Sequence, residues 1–157
     1  MVAKELEEMS MEKLIQFKID GKPQAKQSVK FAKIGNFIKK YTPKEMVNYS
    51  NWVKQCFKMT YPEHLPSEFI DCYLMVKIVV HVEMPKSFSK RKQDLAYTLQ
   101  LRPTVKPDCD NIAKNILDSL NGICYPDDKQ IIMLSIEKIY DKSPFVEVKI
   151  TGYKNGK

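Results

Sequence analysis

The sequence has no C-x-x-C pair, and its two histidines, His64 and His81, lie far along the chain from Cys109 and Cys124. A structural zinc site, which draws its thiolates and imidazoles from such short spacings, is therefore not expected. No apolar run is long enough to cross a bilayer as a helix: the most apolar stretch, Tyr73 to Val82, is short and carries Lys77 and His81. The first eleven residues hold three glutamates, Glu5, Glu7 and Glu8, and lack the basic-then-apolar order of a secretory signal. The expectation is a cytoplasmic protein with no membrane partner, whose Cys56, Cys72, Cys109 and Cys124 are reduced thiols. Repeats, low-complexity blocks and Pro/Gly/Ser linkers are also missing, so the 157 residues read as one domain, residues 14–157, behind an acidic leader, residues 1–13, free to be flexible.

Acid is missing from one long stretch and nearly so from another. Lys22 to Lys44 holds seven lysines and no acid, and Lys86 to Lys106 holds six basic residues against Asp94 alone. With a net charge of +7 for the whole chain, the remainder is net acidic. Charge segregated in this way attracts a polyanion by long-range steering and counterion release, whereas evenly mixed charge mainly confers solubility. Lys22, Lys26 and Lys30 in the first stretch, and Lys90, Arg91, Lys92 and Lys106 in the second, are the candidate DNA-binding residues. Phe31, Phe37 and Tyr41 interleave with the first set, which suits stacked bases beside phosphates or, equally, a ribbon packed on a core.

The pattern predicts an α+β domain with a mixed sheet, two main helices and a C-terminal hairpin. Leu14 to Asp20 alternates with Ile15, Phe17 and Ile19 on one side, a strand ending at Gly21. Gly35-Asn36 offers a hairpin turn. Thr42-Pro43-Lys44-Glu45 is a capping box with proline at the first helical position. Met46, Tyr49, Val53, Cys56 and Phe57, with Trp52 beside them, then mark a buried helical face to about Met59. Tyr73 to Glu83 reads as a central strand covered on both faces, with His81 packed in it and not a ligand. Pro85 to Pro107 has no periodicity and reads as a long basic loop. Gln130 to Tyr140 and Phe145 to Thr151 read as strands joined through Asp141-Lys142-Ser143-Pro144 into an antiparallel hairpin.

The chemistry is concentrated between the basic loop and that hairpin. Ile112, Ala113, Ile116, Leu117 and Leu120 fall on one arc of a helix, Asp110, Asn111, Lys114, Asp118 and Asn121 on the other, and Gly122 supplies the stop. Asp110 and Lys114 are then one turn apart, with Asp108 at the approach to the helix N-terminus. Two carboxylates there make half of a hard-cation site, and a chain reversal at Gly122 could bring Asp127 or Asp128 beside the helix to complete it. Taken singly, Asp108 or Asp110 would be an N-cap, Lys114 with Asp118 a surface pair, and Asp127-Asp128 a turn. Five acids within 21 residues of a basic chain weigh against treating all of these as structural. An EF-hand loop starting at Asp108 fails, because Ile112 holds its fifth position, Ala113 stands where glycine is needed and Ser119 where glutamate is needed. Magnesium is the better cation.

Lys106-Pro107-Asp108-Cys109-Asp110-Asn111, followed by Lys114, Asp118, Asn121-Gly122 and Asp127-Asp128, resembles the signature of the RusA Holliday junction resolvases. Weaker similarity reaches Gly21-Lys22-Pro23 and Ser87-Phe88-Ser89-Lys90. The resemblance implies a homodimeric nuclease, common in phages and prophages, that binds four-way junction DNA and cuts two strands symmetrically with magnesium in recombination and repair. It carries Asp108 and Asp110 over as paired acids, Asp128 as the second acid of the doublet and Lys114 as a functional lysine, with Asp127 and Asp118 less firmly matched. Magnesium held by Asp108, Asp110 and Asp128 would polarise the scissile phosphate and activate a water, and Lys114 would offset charge on the phosphate or orient that water. Cys109 between the acids and the Tyr125-Pro126 pair depart from expectation and bear on substrate preference. The competing classes are a non-catalytic nucleic-acid-binding module and a metal-dependent nuclease acting on flaps or RNA.

Overall fold

A computed structural model describes residues 11–25, 30–41 and 44–156. Among these residues six strands and three α-helices follow in the order β1 (Met11–Asp20), β2 (Lys30–Ile34), β3 (Phe37–Tyr41), α1 (Lys44–Thr60), β4 (Cys72–Glu83), α2 (Lys90–Tyr97), α3 (Cys109–Leu120), β5 (Ile131–Asp141) and β6 (Phe145–Lys154). Strands β1, β6, β4 and β5, in that spatial order, form one mixed sheet, and β2 with β3 forms a separate two-stranded ribbon. This is the α+β single domain that the sequence pattern predicts, with one helix more among the described residues.

One face of the sheet carries the core. Alternation in β1 buries Ile15, Phe17 and Ile19, and β4 and β6 add Leu74, Val76, Ile78 and Val80 with Val146, Val148 and Ile150. Helices α1 and α3 cover this face with Tyr49, Val53, Cys56 and Phe57 from one and Ile112, Ile116 and Leu120 from the other. Gly152 matters by its lack of a side chain: a Cβ there would stand 2.4 Å from Cε1 of the buried Phe69, a distance no packed atoms tolerate. All four cysteines are free, and burial pushes the Cys124 thiol up to about 12, far from reactive thiolate.

Several expectations are corrected. Strand β1 begins at Met11, so Met11–Lys13 belong to the sheet and not to a leader; Lys26, Thr42 and Pro43 lie outside the described residues. The Pro85–Pro107 stretch contains α2, capped by Ser89, whose Oγ accepts from the Lys92 amide at 3.3 Å. With only Leu95, Ala96 and Tyr97 apolar, this helix is too short and polar to show a stripe. Strands β5 and β6 run antiparallel but form no hairpin, because β4 lies between them, parallel to β5 and antiparallel to β6. The three connecting residues, Lys142, Ser143 and Pro144, give four Cα–Cα steps that reach ~13 Å, enough to step over one strand of a sheet whose second neighbours are ~10 Å apart. Strand β4 is central but fully covered on one face only, with Lys77 exposed on the other.

His81 does behave as a packed strand residue. It is 8% exposed, lies parallel to the Phe145 ring at 3.8 Å, and places Nδ1 2.8 Å from Asp141 and Nε2 2.9 Å from Glu147. No helix of the described residues is long and apolar enough to span a membrane.

Candidate active site

Helix α3 begins where the sequence places it, with Asp108 as the N-cap residue in extended conformation and Asp110 in the first turn. The Asp108 carboxylate makes no capping hydrogen bond, so it is not spent on the helix end as a structural N-cap would be. The apolar arc is buried, and two polar residues join it: Asn115 donates through Nδ2 to the Gln24 carbonyl at 2.9 Å, and Ser119 donates to the Asn115 carbonyl at 2.6 Å. The Asn115 bond ties the Lys22–Ala25 segment to α3. Neither residue stands out in the sequence, since a polar residue inside an apolar arc breaks the signal being read.

The chain reverses after the helix. Gly122 takes φ +74°, its amide donates to the Tyr125 carbonyl at 2.8 Å, and the buried Tyr125 hydroxyl donates to the Leu117 carbonyl at 2.7 Å. Burial pushes that hydroxyl's pKa up, which keeps it a donor. The chain is thereby laid back along α3, and Asp128 arrives in the same cleft as Asp110, Lys114 and Asp118. Cys109, Ala113, Leu117, Leu134 and Ile136 complete this cleft of about 530 Å³.

Asp127 has a different task. It caps the short 3-10 turn Asp128–Gln130, accepting from the Lys129 amide at 3.0 Å, and its own amide donates to Gln130 Oε1 at 3.1 Å. The Lys129 amide holds the Asp127 carboxyl below the ordinary range. Gln130 also donates through Nε2 to the carbonyls of Phe69 and Cys72, at 2.8 and 2.9 Å, which fixes the turn to the start of β4. The signal that could have found this role is the Asp-x-x-Gln spacing of a capping box, overshadowed in the sequence by the carboxylate doublet.

Asp108 faces a neighbouring groove of about 570 Å³, lined by Lys22, Pro23, Gln24, Ala25, Lys106, Pro107 and Asn111. Lys138 of β5 holds the far side of the Lys106 segment by donating to the carbonyls of Val105 and Pro107, and Arg102 pairs with Glu137 at 3.1 Å. The structure thus joins Asp110, Lys114, Asp118 and Asp128 in one cleft, and Asp108, Lys22 and Lys106 in the next. Among the described residues no three His, Cys, Asp or Glu side chains already stand together as a metal cluster. Lys30 lies exposed on β2, and Lys90, Arg91 and Lys92 are exposed on the first turn of α2.

Three carboxylates and a lysine in a cleft flanked by exposed basic side chains describe the class of a hydrolase acting on a polyanion. Residues 20–151 match the family described as Endodeoxyribonuclease RusA, and the chain belongs to that family. It is 26% identical over 144 residues to the crossover junction endodeoxyribonuclease rusA of Lactococcus phage r1t, covering 87% of this chain and 95% of that one. It is also 39% identical over 103 residues to the uncharacterized protein YqaN of Bacillus subtilis (strain 168), covering 64% and 72%.

Proposed function

We propose that this protein is a magnesium-dependent resolvase of four-way DNA junctions, acting as a homodimer that makes one cut in each of two opposed strands. The observation that carries the reading is the return of Asp128 to the cleft of Asp110 and Lys114. The donor set suits magnesium: it consists of hard carboxylate oxygens, and this cation typically needs one or two of them, filling its remaining positions with water and substrate phosphate. Asp110 and Asp128 would hold the ion in the cleft, and Asp108, whose carboxylate caps nothing, would reach it from the helix N-terminus. Bound there, magnesium supplies Lewis acidity toward the phosphate and makes a water nucleophilic at neutral pH.

The protein's own groups do the rest. Lys114, one turn along from Asp110, offsets charge on the phosphate oxygens as it develops. Lys22 and Lys106, lining the groove next to the cleft, orient the backbone of the strand to be cut. Lys30 on the ribbon and Lys90, Arg91 and Lys92 at the start of α2 extend the positive surface, and Lys26 belongs to the same sequence stretch as Lys22 and Lys30. The homodimer follows from counting, since one cleft per chain makes one cut and resolution needs two.

The test is cleavage of synthetic four-way junctions beside linear duplex, flaps and RNA, in magnesium and in EDTA. Paired symmetric cuts confined to junctions and abolished by EDTA are expected. Preferential cutting of flaps or RNA would replace the reading with another metal-dependent nuclease, and binding without cutting would leave a nucleic-acid-binding module.

A further inference from the structure

The ribbon β2–β3 stands apart from the main sheet. Its turn, Gly35-Asn36, is followed at once by Phe37 and Ile38, the two most exposed large apolar residues described, at 80% and 74%. Across the ribbon Phe37 pairs with Ile34 and Ile38 with Lys33, so the two exposed side chains project from opposite faces of its tip. Lys30, Lys33, Lys39 and Lys40 are exposed along its length, and no acidic residue occurs between Lys30 and Tyr41. A two-stranded ribbon is at best marginally stable alone in water, and one whose tip leaves a phenylalanine in solvent gains nothing from that residue within its own chain.

We propose that the ribbon tip is a DNA-reading wedge: Phe37, with Ile38 behind it, stacks on a base left unstacked at the branch point while the ribbon lysines hold the flanking phosphates. The charge decides the occupant. A second copy of the same ribbon would bring four lysines against four, whereas a polyanion is attracted by all of them. An aromatic ring among those lysines supplies what a phosphate backbone cannot use, a face for a base. A junction offers that base cheaply, because its branch point interrupts stacking, while an intact duplex must be unstacked to admit a wedge.

The inference rests on the junction-binding reading, and its test separates the two. Phe37→Ala, Phe37→Trp and the pair Lys39→Ala with Lys40→Ala would be titrated in EDTA against a synthetic four-way junction and a linear duplex of matching sequence, at several salt concentrations. Phe37→Ala should weaken junction binding about tenfold, the scale of removing one base stack. Duplex affinity and the slope of log K against log salt should stay unchanged. Phe37→Trp should restore the affinity, and the lysine pair should instead flatten the slope by about 0.9 for every phosphate no longer neutralised. Wild-type affinity of Phe37→Ala for the junction would overturn the wedge, even where wild type cuts junctions. So would a fall in affinity that coincides with a loss of oligomer mass, which would assign the tip to a second copy. A protein that cuts nothing but loses junction affinity with Phe37 would keep the wedge and lose the nuclease.

Discussion

Adjacent in sequence, Asp127 and Asp128 are put to different uses by the turn that carries them. Asp127 spends its carboxylate on the Lys129 amide and lies 3.3 Å from the Lys129 ammonium, whereas Asp128 lines the cleft. Asp128→Asn should therefore lower the cleavage rate roughly a hundredfold or more, the scale of removing one group that stabilises transition-state charge. Its melting temperature and junction affinity should hold. Asp127→Ala should do the reverse, lowering the melting temperature through the missing cap with a smaller effect on cutting. Equal losses of activity in the two variants, measured beside their melting curves, would show that the division of labour is wrong. Gly152 tests packing at the same scale. Gly152→Ala drives a methyl into Phe69 and should cost about 1–3 kcal/mol by urea titration. Because the Phe69 carbonyl also receives Gln130, some of that strain should appear as reduced cleavage.

At the scale of elements, legibility followed periodicity. Strand β1 and helices α1 and α3 announced themselves because alternation or a three-and-four spacing is set by which side chains are buried, and Ile15, Val53 and Ile116 are fully buried. The cleft was legible for the same reason: α3 fixes Asp110 and Lys114 one turn apart, and Gly122 marks the reversal that returns Asp128. What escaped was long-range. Nothing in Asp141–Pro144 says that β4 passes between the strands it joins, because strand order is decided by pairing partners elsewhere in the chain. The bonds of Lys138 to the Val105 and Pro107 carbonyls, and of Asn115 to Gln24, cross 31 to 91 residues and leave no local trace. Helix α2 was hidden by its polarity, and its presence sharpens one expectation. Lys90, Arg91 and Lys92 occupy one exposed helical turn, a rigid cationic patch and not a slack loop. Replacing all three with alanine should weaken junction binding and reduce the salt slope by about 0.9 for each phosphate left without its cation. An unchanged slope in fluorescence anisotropy would show that the patch is merely solvated.

For the whole molecule, the sheet order leaves β5 at an edge, and three consecutive residues there, Ile132, Met133 and Leu134, are exposed at 66%, 54% and 44%. An apolar edge of this kind is a template for pairing with another chain, and Leu134 also lines the cleft. The proposed dimer is therefore expected to form along β5. Light scattering should give twice 18.3 kDa for the wild type, and Met133→Lys should give monomers that no longer make paired cuts. Mixed dimers of wild-type and Asp110→Asn chains should nick one strand only; a monomer making paired cuts would refute the arrangement. The other end of the same topology bears on timing. Strand β6, which follows the other described strands along the chain, pairs with β1 on one side and β4 on the other, so the sheet has no continuous frame until it exists. During synthesis the residues from Asp108 to Asp128 emerge before β6, and their carboxylates are expected to be held firmly in place only once it has paired. A polypeptide stopped after Pro144 should show no cooperative melting by circular dichroism and no cutting, and a cooperative transition would disprove this dependence. The cell thus meets the assembled cleft only after the strand that carries none of its carboxylates has been completed.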